Sequence, residues 1–315
     1  MIEAGNRVNS GGSSKVEQRT ARSIDEVMET IRSARKVWRL ATDQELWFRG
    51  EDRKHQASTL LPKLYRHLLK AIGTVSKSLL REERNLHEEF QRCGAQLYDH
   101  DDVDDWDWYF LMQHHNAPTR LLDWSDGALM AVHFAVKSSL DATDGGFVYV
   151  LNPWGLMDDL KGLPSWKKIK KSWRKYRIGR MKKGHECAEE WDEVYLPGRH
   201  FLKESKSLDS SKIEIPELPI EPLVLEFPQI TRRVAAQRSR FMVYGSYKNW
   251  LINWAARKDA PIWRITIPKK NVAAMKIQLR DSGMTESVIF PDLDGLGREV
   301  DQLWDILKRR TKFKK

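Results

Sequence analysis

The stretch that decides the fold of this chain is Gln113-His-His-Asn-Ala-Pro-Thr-Arg-Leu-Leu-Asp-Trp-Ser125. It crowds polar side chains together and then leads into an alanine-rich segment, residues 128–135, whose spacing predicts a helix capped by Ser125. Helix N-termini attract anions because their first backbone N–H groups lack partners within the helix. We therefore expect a ligand-binding site at this helix start, formed by Thr119, Arg120, Asp123 and Trp124.

Helix and strand signals are arranged around this stretch in an order that is typical of an α+β fold. Helical spacing predicts helices over residues 24–39, 77–98 and 292–309, the first of them capped by Ser23. Short apolar runs predict strands at residues 45–50, 146–151, 222–227, 241–244, 262–267 and 287–290. Regular alternation of strands and helices is missing, and the sequence has no GxGxxG or Walker motif, which disfavours a doubly wound nucleotide-binding fold.

The net charge of +10 is concentrated in one segment. Lys161–Gly184 contains eleven Lys and Arg residues and no acidic residue, so the rest of the chain sums to −1. We interpret residues 155–215 as a lysine-rich insertion in one domain over 23–310, between a disordered tail over 1–22 and a basic tail over 311–315. A solvated surface is the plain interpretation of such a segment, but the interleaved rings of Trp166, Trp173 and Tyr176 favour nucleic-acid binding. The residues predicted to bind nucleic acid are Lys167, Lys168, Lys170, Lys171, Trp173 and Arg174.

Cysteine usage and hydropathy indicate a cytoplasmic protein. Cys93 and Cys187 form no CxxC pair and no Cys/His cluster, so neither a disulfide framework nor a zinc site is expected. No apolar run approaches the roughly 18 residues that a membrane helix requires, so no membrane partner is expected. His114 and His115 lack companions at metal-ligand spacing, and we predict no metal.

A second candidate for chemistry is Trp47-Phe-Arg-Gly50. An Arg within an apolar strand is costly to bury unless it meets an anion, which could be an internal carboxylate or a bound phosphate. Gly50 would allow the backbone to approach a ligand closely. An internal pair is likewise the alternative for Arg120 and Asp123.

A third candidate is Gln237, which stands between a small apolar run and a predicted strand. A buried Gln must satisfy both its amide oxygen and its NH2 group. The backbone could do this, and so could the amide or ribose of a ligand. The sequence leaves both possibilities open.

Together these stretches resemble the FRG family, over about residues 40–300. The resemblance rests on Phe48-Arg49-Gly50, Gln113-His114, Pro118–Trp124, Ala131–Ala135, Gln237 with Phe241, and Ser287–Gly295. The chain departs from the family pattern at His115-Asn116, where a Tyr-Gly pair is common. The Gln113–Ser125 block is the specific part of the match.

The order of these motifs in turn resembles that of ADP-ribosyltransferases, which implies a split β-sheet core with flanking helices and NAD, as a substrate, in its cleft. By this resemblance Arg49, Thr119 and Gln237 would be the catalytic residues. The residues implied to bind NAD are Phe48, Arg49, Gly50, Gln113, His114, Thr119, Arg120, Asp123 and Trp124. Trp124 would stack on the nicotinamide. Because Gln237 carries no charge, Asp123 or Glu226 would have to provide the carboxylate that stabilises the developing cation.

The expected function is therefore transfer of ADP-ribose from NAD to a macromolecule, by a toxin or an anti-phage effector. The basic segment favours nucleic acid over protein as the acceptor. A neutralising antitoxin or a regulatory protein would be a partner for such an effector. The alternative is a non-catalytic module that binds a nucleotide or a partner protein; a nuclease has no metal-ligand carboxylate pattern to support it.

Overall fold

A computed structural model describes residues 16–52, 60–68, 73–98, 103–137, 145–168, 191–198, 217–225 and 231–312. Within these ranges seven strands form one sheet in the order β1-β7-β4-β2-β3-β6-β5. Only β1 and β7 pair in parallel; the other neighbouring strands are antiparallel. The strands are β1 (Glu17–Thr20), β2 (Trp47–Asp52), β3 (Leu121–Ser125), β4 (Gly146–Leu151), β5 (Leu223–Leu225), β6 (Ser239–Val243) and β7 (Ile262–Ile267).

The sheet consists of two parts that meet at a single pair of residues. β2 and β4 pair over six residues, and β3 and β6 pair over five. Between β2 and β3, by contrast, only Phe48 and Ser125 are in register. The halves β1-β7-β4-β2 and β3-β6-β5 therefore separate beyond Phe48, and the gap can hold side chains or a ligand.

Helices cover both faces of the sheet. They are α1 (Ile24–Val37), α2 (Lys77–Gly94), α3 (Asp105–His114), α4 (Ala128–Val136), α5 (Pro153–Gly162), α6 (Arg232–Ala236), α7 (Trp250–Ala255), α8 (Lys269–Asp281), α9 (Glu286–Ile289) and α10 (Leu293–Lys312), with 3-10 helices at Lys63–Leu68 and Trp191–Tyr195. Every residue of β4 is buried because helices pack on both sides of it. No helix in the described ranges is long and apolar enough to cross a membrane.

Two apolar cores lie on opposite faces of the sheet. Phe48, Val148 and Ile265 face α1, α4 and α8, whereas Trp47 and Tyr149 face the larger core with α3 and α5. Gly50 is required by this packing. A Cβ at Gly50 would lie 1.7 Å from the carbonyl oxygen of Ala131, so only glycine lets β2 lie directly against α4. We expected Gly50 to allow close approach of a ligand, but it allows close approach of helix α4.

Much of the predicted framework is confirmed. The strands at 45–50, 146–151, 222–227, 241–244 and 262–267 correspond to β2, β4, β5, β6 and β7, and the three predicted helices to α1, α2 and α10. Ser23 caps α1, since its Oγ accepts a hydrogen bond from the Glu26 N–H at 3.2 Å. The fold is accordingly a mixture of helices and a mostly antiparallel sheet.

Three local predictions were wrong. Leu121–Ser125 is a strand instead of a helix start; the cap position of α4 is Gly127, whose N–H donates to Ser125 Oγ at 3.0 Å. Residues 287–290 were predicted as a strand from their β-branched side chains, but they belong mainly to α9. The predicted tail over 1–22 contains β1, an edge strand of four exposed residues that has no hydrophobic pattern to reveal it.

The predicted insertion over 155–215 is not separate from the body where it is described. Leu156 and Leu160 of α5 are fully buried, as is Val194. Trp166 also packs into the larger core, which corrects the expectation that its ring contacts bases. Residues 169–190 and 199–216 lie outside the described residues.

Candidate active site

A cleft of about 400 Å³ lies where the two halves of the sheet separate. Its walls come from β2, from the second half of β3, from α4, and from α6 with the turn that follows it. The volume falls in the range of small-molecule sites. Of the residues predicted to bind NAD or act in catalysis, the cleft is lined by Phe48, Arg49, Gly50, Gln113, His114, Asp123, Trp124 and Gln237.

Asp123 presents a carboxylate to this cleft from the middle of the sheet. It is the one exposed residue of β3, whose other four residues are buried. The carboxylate is reached by solvent through the cleft while protein surrounds it on the other sides. Loss of solvation raises the pKa of Asp123, and Arg49, Gln113 and Arg66 oppose the shift. A carboxylate with a raised pKa at the floor of a cleft is a candidate for chemistry.

Gln113 orients this carboxylate, and Thr119 orients Gln113. The Gln113 Nε2 group donates to Asp123 Oδ2 at 2.8 Å. Thr119 Oγ1 donates to Gln113 Oε1 and accepts from the Leu121 N–H at 3.1 Å. Thr119 is fully buried and does not line the cleft, so its predicted catalytic role must be corrected. It acts on the site through Gln113.

Arg49 bridges the two halves of the sheet. Its Nη1 donates to the backbone carbonyl of Asp123 at 2.6 Å, and its Nη2 forms an ion pair with Glu51. Arg66 lies 3.6 Å from the same Glu51 carboxylate and is more exposed than Arg49. Arg49 thus replaces the backbone ladder that is missing between β2 and β3, and it still lines the cleft.

Trp124 and Arg120 do not have the roles expected of them. The Trp124 ring is 3% exposed and packs in the larger core, so it cannot offer a face to a nicotinamide. Its indole N–H finds no acceptor among the described residues. Arg120 is completely buried; its Nε donates to Glu83 at 2.6 Å and its Nη1 to the Tyr244 carbonyl at 2.7 Å. The expected Arg120–Asp123 pair is therefore replaced by Arg120–Glu83.

Gln237 ends α6 and lines the cleft. Its Nε2 donates to the Ile289 carbonyl at 3.3 Å, and its own carbonyl accepts from Ser125 Oγ at 2.8 Å. The backbone therefore accepts one hydrogen bond from the NH2 group, as one of the two alternatives that the sequence left open would have it. Glu226, the other candidate for the missing carboxylate, lies outside the described residues.

His114 contributes a neutral imidazole to the cleft wall. Burial, together with the nearby charges of Arg233 and His115, lowers the pKa of His114 to about 4, against the opposing effect of Asp292. The ring is therefore uncharged at neutral pH and can donate or accept one hydrogen bond. Within the described ranges no group of three potential metal ligands occurs.

Three cations at the cleft were not predicted: Arg66, Arg233 and Lys137. Arg233 had a usable signal, since it lies four residues before Gln237 and so shares a helix face with it. Arg66 and Lys137 lie outside the motifs, and only the fold brings them to the cleft. Of the predicted nucleic-acid contacts, Lys167 and Lys168 are exposed, whereas Lys170, Lys171, Trp173 and Arg174 lie outside the described residues.

Comparison with known proteins supports the resemblance noted in the sequence. The FRG domain model matches residues 44–144. No curated protein and no solved structure matches the chain. The matched range begins before β2 and extends beyond α4, and it includes Arg49, Gln113 and Asp123. Residues 44–144 of this chain, about a third of its length, are therefore similar to the FRG domain.

Proposed function

We propose that the cleft binds NAD and that the protein transfers ADP-ribose from it to a macromolecule. The observation that carries this proposal is the position of Asp123. Its carboxylate lies at the floor of a cleft that parts a β-sheet, with Arg49 and Arg66 beside it. The reaction needs such a carboxylate, and Gln237 cannot provide the charge.

In this reaction the bond between the ribose C1′ and the nicotinamide nitrogen breaks, and its electron pair leaves with nicotinamide. Positive charge develops on the ribose, and a fixed carboxylate stabilises it. A nucleophilic oxygen or nitrogen of the acceptor then bonds to C1′ and loses its proton to solvent.

Asp123 is prepared for this role by its hydrogen bonds. Gln113 occupies Oδ2, whereas no hydrogen bond to Oδ1 comes from the described residues. Oδ1 is therefore available to accept from a ribose hydroxyl. Gln237 can bond a ribose hydroxyl through its Oε1, since its Nε2 is engaged by Ile289. Arg66, whose side chain is more exposed than that of Arg49, adds positive charge that attracts an anionic ligand to the cleft.

The acceptor is proposed to be a nucleic acid. The support is the charge of Lys161–Gly184, and of that segment Lys167 and Lys168 are exposed in the structure. Binding that depends on such a segment weakens steeply with salt, because counterions are released from the phosphates. A salt titration with single-stranded RNA and DNA tests this part separately. Unchanged affinity after neutralising Lys167, Lys168, Lys170 and Lys171 would assign the acceptor to another class.

The test of catalysis is release of labelled nicotinamide from NAD, with cell extract and with purified RNA or DNA as acceptors. Asp123→Asn keeps the shape and removes the charge, and should slow release by about 100- to 1,000-fold. Asp259→Asn is the matched control, since Asp259 is exposed and lies outside the cleft lining. Equal rates for the wild type and Asp123→Asn would sink the proposal.

A second candidate is a module that binds a nucleotide without turning it over. The observation in its favour is Arg49, whose guanidinium is engaged by Glu51 and by the Asp123 carbonyl. Calorimetry decides between the two candidates. Saturable binding of NAD without release of nicotinamide over hours would establish the binding module.

A further inference from the structure

Arg233 is a half-buried cation without a conventional partner. It lines the cleft from α6, and in the described part of the chain its guanidinium forms neither a hydrogen bond nor an ion pair. Its guanidinium lies 4.7 Å from the centroid of the Phe290 ring. Burying a guanidinium without an anion is unfavourable, so an anion bound in the cleft would stabilise Arg233 in this position.

Two further cations converge on the same ring. Lys137 Nζ lies 4.2 Å from the Phe290 centroid and the Arg298 guanidinium 4.7 Å from it. The Glu286 carboxylate forms ion pairs with both of them, at 3.6 Å from Lys137 and 3.1 Å from Arg298. His133 is also 3.2 Å from Glu286, but burial lowers the pKa of His133 to about 4, so it adds no charge at neutral pH.

Two other acidic groups, Asp292 and Asp123, act electrostatically on Arg233. Neither forms an ion pair with it in the described part of the chain: the Asp292 Oδ1 atom accepts from the Gly295 N–H at 2.7 Å, and the Asp123 Oδ2 atom accepts from Gln113 at 2.8 Å. Positive charge therefore exceeds negative charge on this side of the cleft. Lys137 and Arg233 both line the cleft, so the excess faces the bound ligand.

We infer that Arg233 and Lys137 form a phosphate subsite, which holds the ADP portion of the ligand while Asp123 acts on its other end. The ligand class is a nucleotide with a pyrophosphate group. This inference rests on the proposed function for the identity of the second end, but the subsite itself requires only phosphate recognition. Guanidinium and ammonium groups are the side chains that bind phosphate best in proteins.

The test compares ADP, adenosine and inorganic pyrophosphate by calorimetry on the full chain. ADP should bind more tightly than adenosine, and pyrophosphate should compete with ADP. Arg233→Gln should weaken ADP by about 10-fold, the loss of one charge-assisted hydrogen bond, and leave adenosine unchanged. Arg232→Gln is the matched control, since Arg232 is the exposed neighbour on the same helix.

The outcomes separate this inference from the proposed function. If ADP binds tightly in a way that depends on Arg233 but NAD is not cleaved, the proposed transferase activity is rejected and the phosphate subsite is supported. If the protein cleaves NAD but Arg233→Gln binds ADP as tightly as the wild type, only the phosphate subsite is rejected. If Arg233→Gln does not fold, Arg233→Lys and Lys137→Gln carry the test. Equal affinity for ADP and adenosine in the wild type overturns the inference directly.

An independent observation concerns α10. Leu293, Leu296, Val300 and Leu303 recur at intervals of three, four and three residues, the spacing of a coiled-coil seam. They are 84, 48, 55 and 51% exposed, although such a seam is normally buried against another helix. The surface that they form is here called the α10 seam.

The charges along α10 indicate what covers this seam. In sequence its first ten residues sum to −2, from Asp294, Glu299 and Asp301 against Arg298, and its last ten sum to +3, from Lys308, Arg309, Arg310 and Lys312 against Asp305. An antiparallel pair of identical helices would place each acidic half against the basic half of its partner. We infer that the α10 seam pairs with that of a second copy of the chain, in an antiparallel arrangement with two-fold symmetry.

Sedimentation of the full chain over a concentration series tests the pairing. The wild type should form dimers, and Leu303→Asp should be monomeric, whereas Gln302→Glu on the same helix should behave as the wild type. Lys308→Glu should weaken the dimer, and combining it with Asp294→Lys should restore it only if the helices are antiparallel. A wild type that remains monomeric up to its solubility limit, or a dimer that Leu303→Asp leaves intact, overturns the inference.

Discussion

Two buried arginines of this protein meet carboxylates in opposite ways. Arg120 is sealed: Glu83 and the carbonyls of Tyr195 and Tyr244 use its guanidinium, and no part of it reaches solvent. Arg49 is also paired, with Glu51, but its surroundings open into the cleft and include Asp123, whose Oδ1 has no hydrogen-bond donor among the described residues. The hydrogen-bond network around Arg120 is complete and stabilises the fold. The network around Arg49 and Asp123 leaves an acceptor that a ligand can use.

The largest effect should come from breaking the sealed pair. Glu83→Ala leaves the Arg120 charge buried without its partner, which should lower the free energy of unfolding by about 3–5 kcal/mol. Urea denaturation measures the loss. A change within the range of ordinary surface substitutions would show that water reaches this network and that the two arginines do not differ as described.

Thr119 lies between the two regions and should show an intermediate effect. Thr119→Val keeps the shape but removes the hydroxyl that bonds Gln113 and the Leu121 N–H, at a cost of about 1 kcal/mol in stability. Nicotinamide release should also fall, because Gln113 loses its orientation. Thr119→Ser should restore both. If the serine variant recovers stability but not activity, Thr119 does more than position Gln113.

On the open side, Asp123→Asn should hardly change stability. The raised pKa of Asp123 means that its charge is less favourable in the folded chain than in the unfolded one, so neutral asparagine should be within about 0.5 kcal/mol of the wild type or slightly more stable. Any gain in the free energy of unfolding should be present above the pKa of Asp123 in the folded chain. It should vanish as the pH falls below the pKa of Asp123 in the unfolded chain, where wild-type Asp123 is also neutral. A marked loss of stability would place Asp123 with the sealed network.

The effect of His114 should be absent at neutral pH and should appear only in acid. Its folded pKa of about 4 is below the ordinary value of 6.5, so the unfolded chain binds more protons between these values. Stability is therefore lost as the pH falls through this window. His114→Gln should flatten this part of the curve, as measured by thermal unfolding at a series of pH values. An unchanged slope would indicate that His114 is solvated.

The strands that the sequence revealed are those with a strong local signal. β4 and β7 are apolar runs with clear boundaries, and their limits were predicted correctly. β1 has only exposed polar residues and gives no such signal. β3 was misassigned because Pro118, Thr119 and Ser125 are typical of turns and helix starts, whereas its pairing with β6 depends on residues far away in the chain.

The site was predictable where it follows a motif. Arg49, Gln113, Asp123 and Gln237 do line one cleft. The misjudged role of Trp124 follows from the strand error: side chains alternate along β3, so a tryptophan next to the cleft-facing Asp123 must point away. Arg66 and Lys137 could not be predicted, because their position at the cleft arises from tertiary packing.

The single pair of residues between β2 and β3 has a mechanical consequence. Few backbone hydrogen bonds oppose relative movement of the two half-sheets at the cleft, and side chains such as Arg49 connect them instead. A ligand that contacts both walls of the cleft would add contacts between the two half-sheets, so its binding should make the whole sheet more rigid. Slower amide hydrogen exchange in β2 and β3 would then report occupancy of the cleft, whether or not any bond of the ligand is broken.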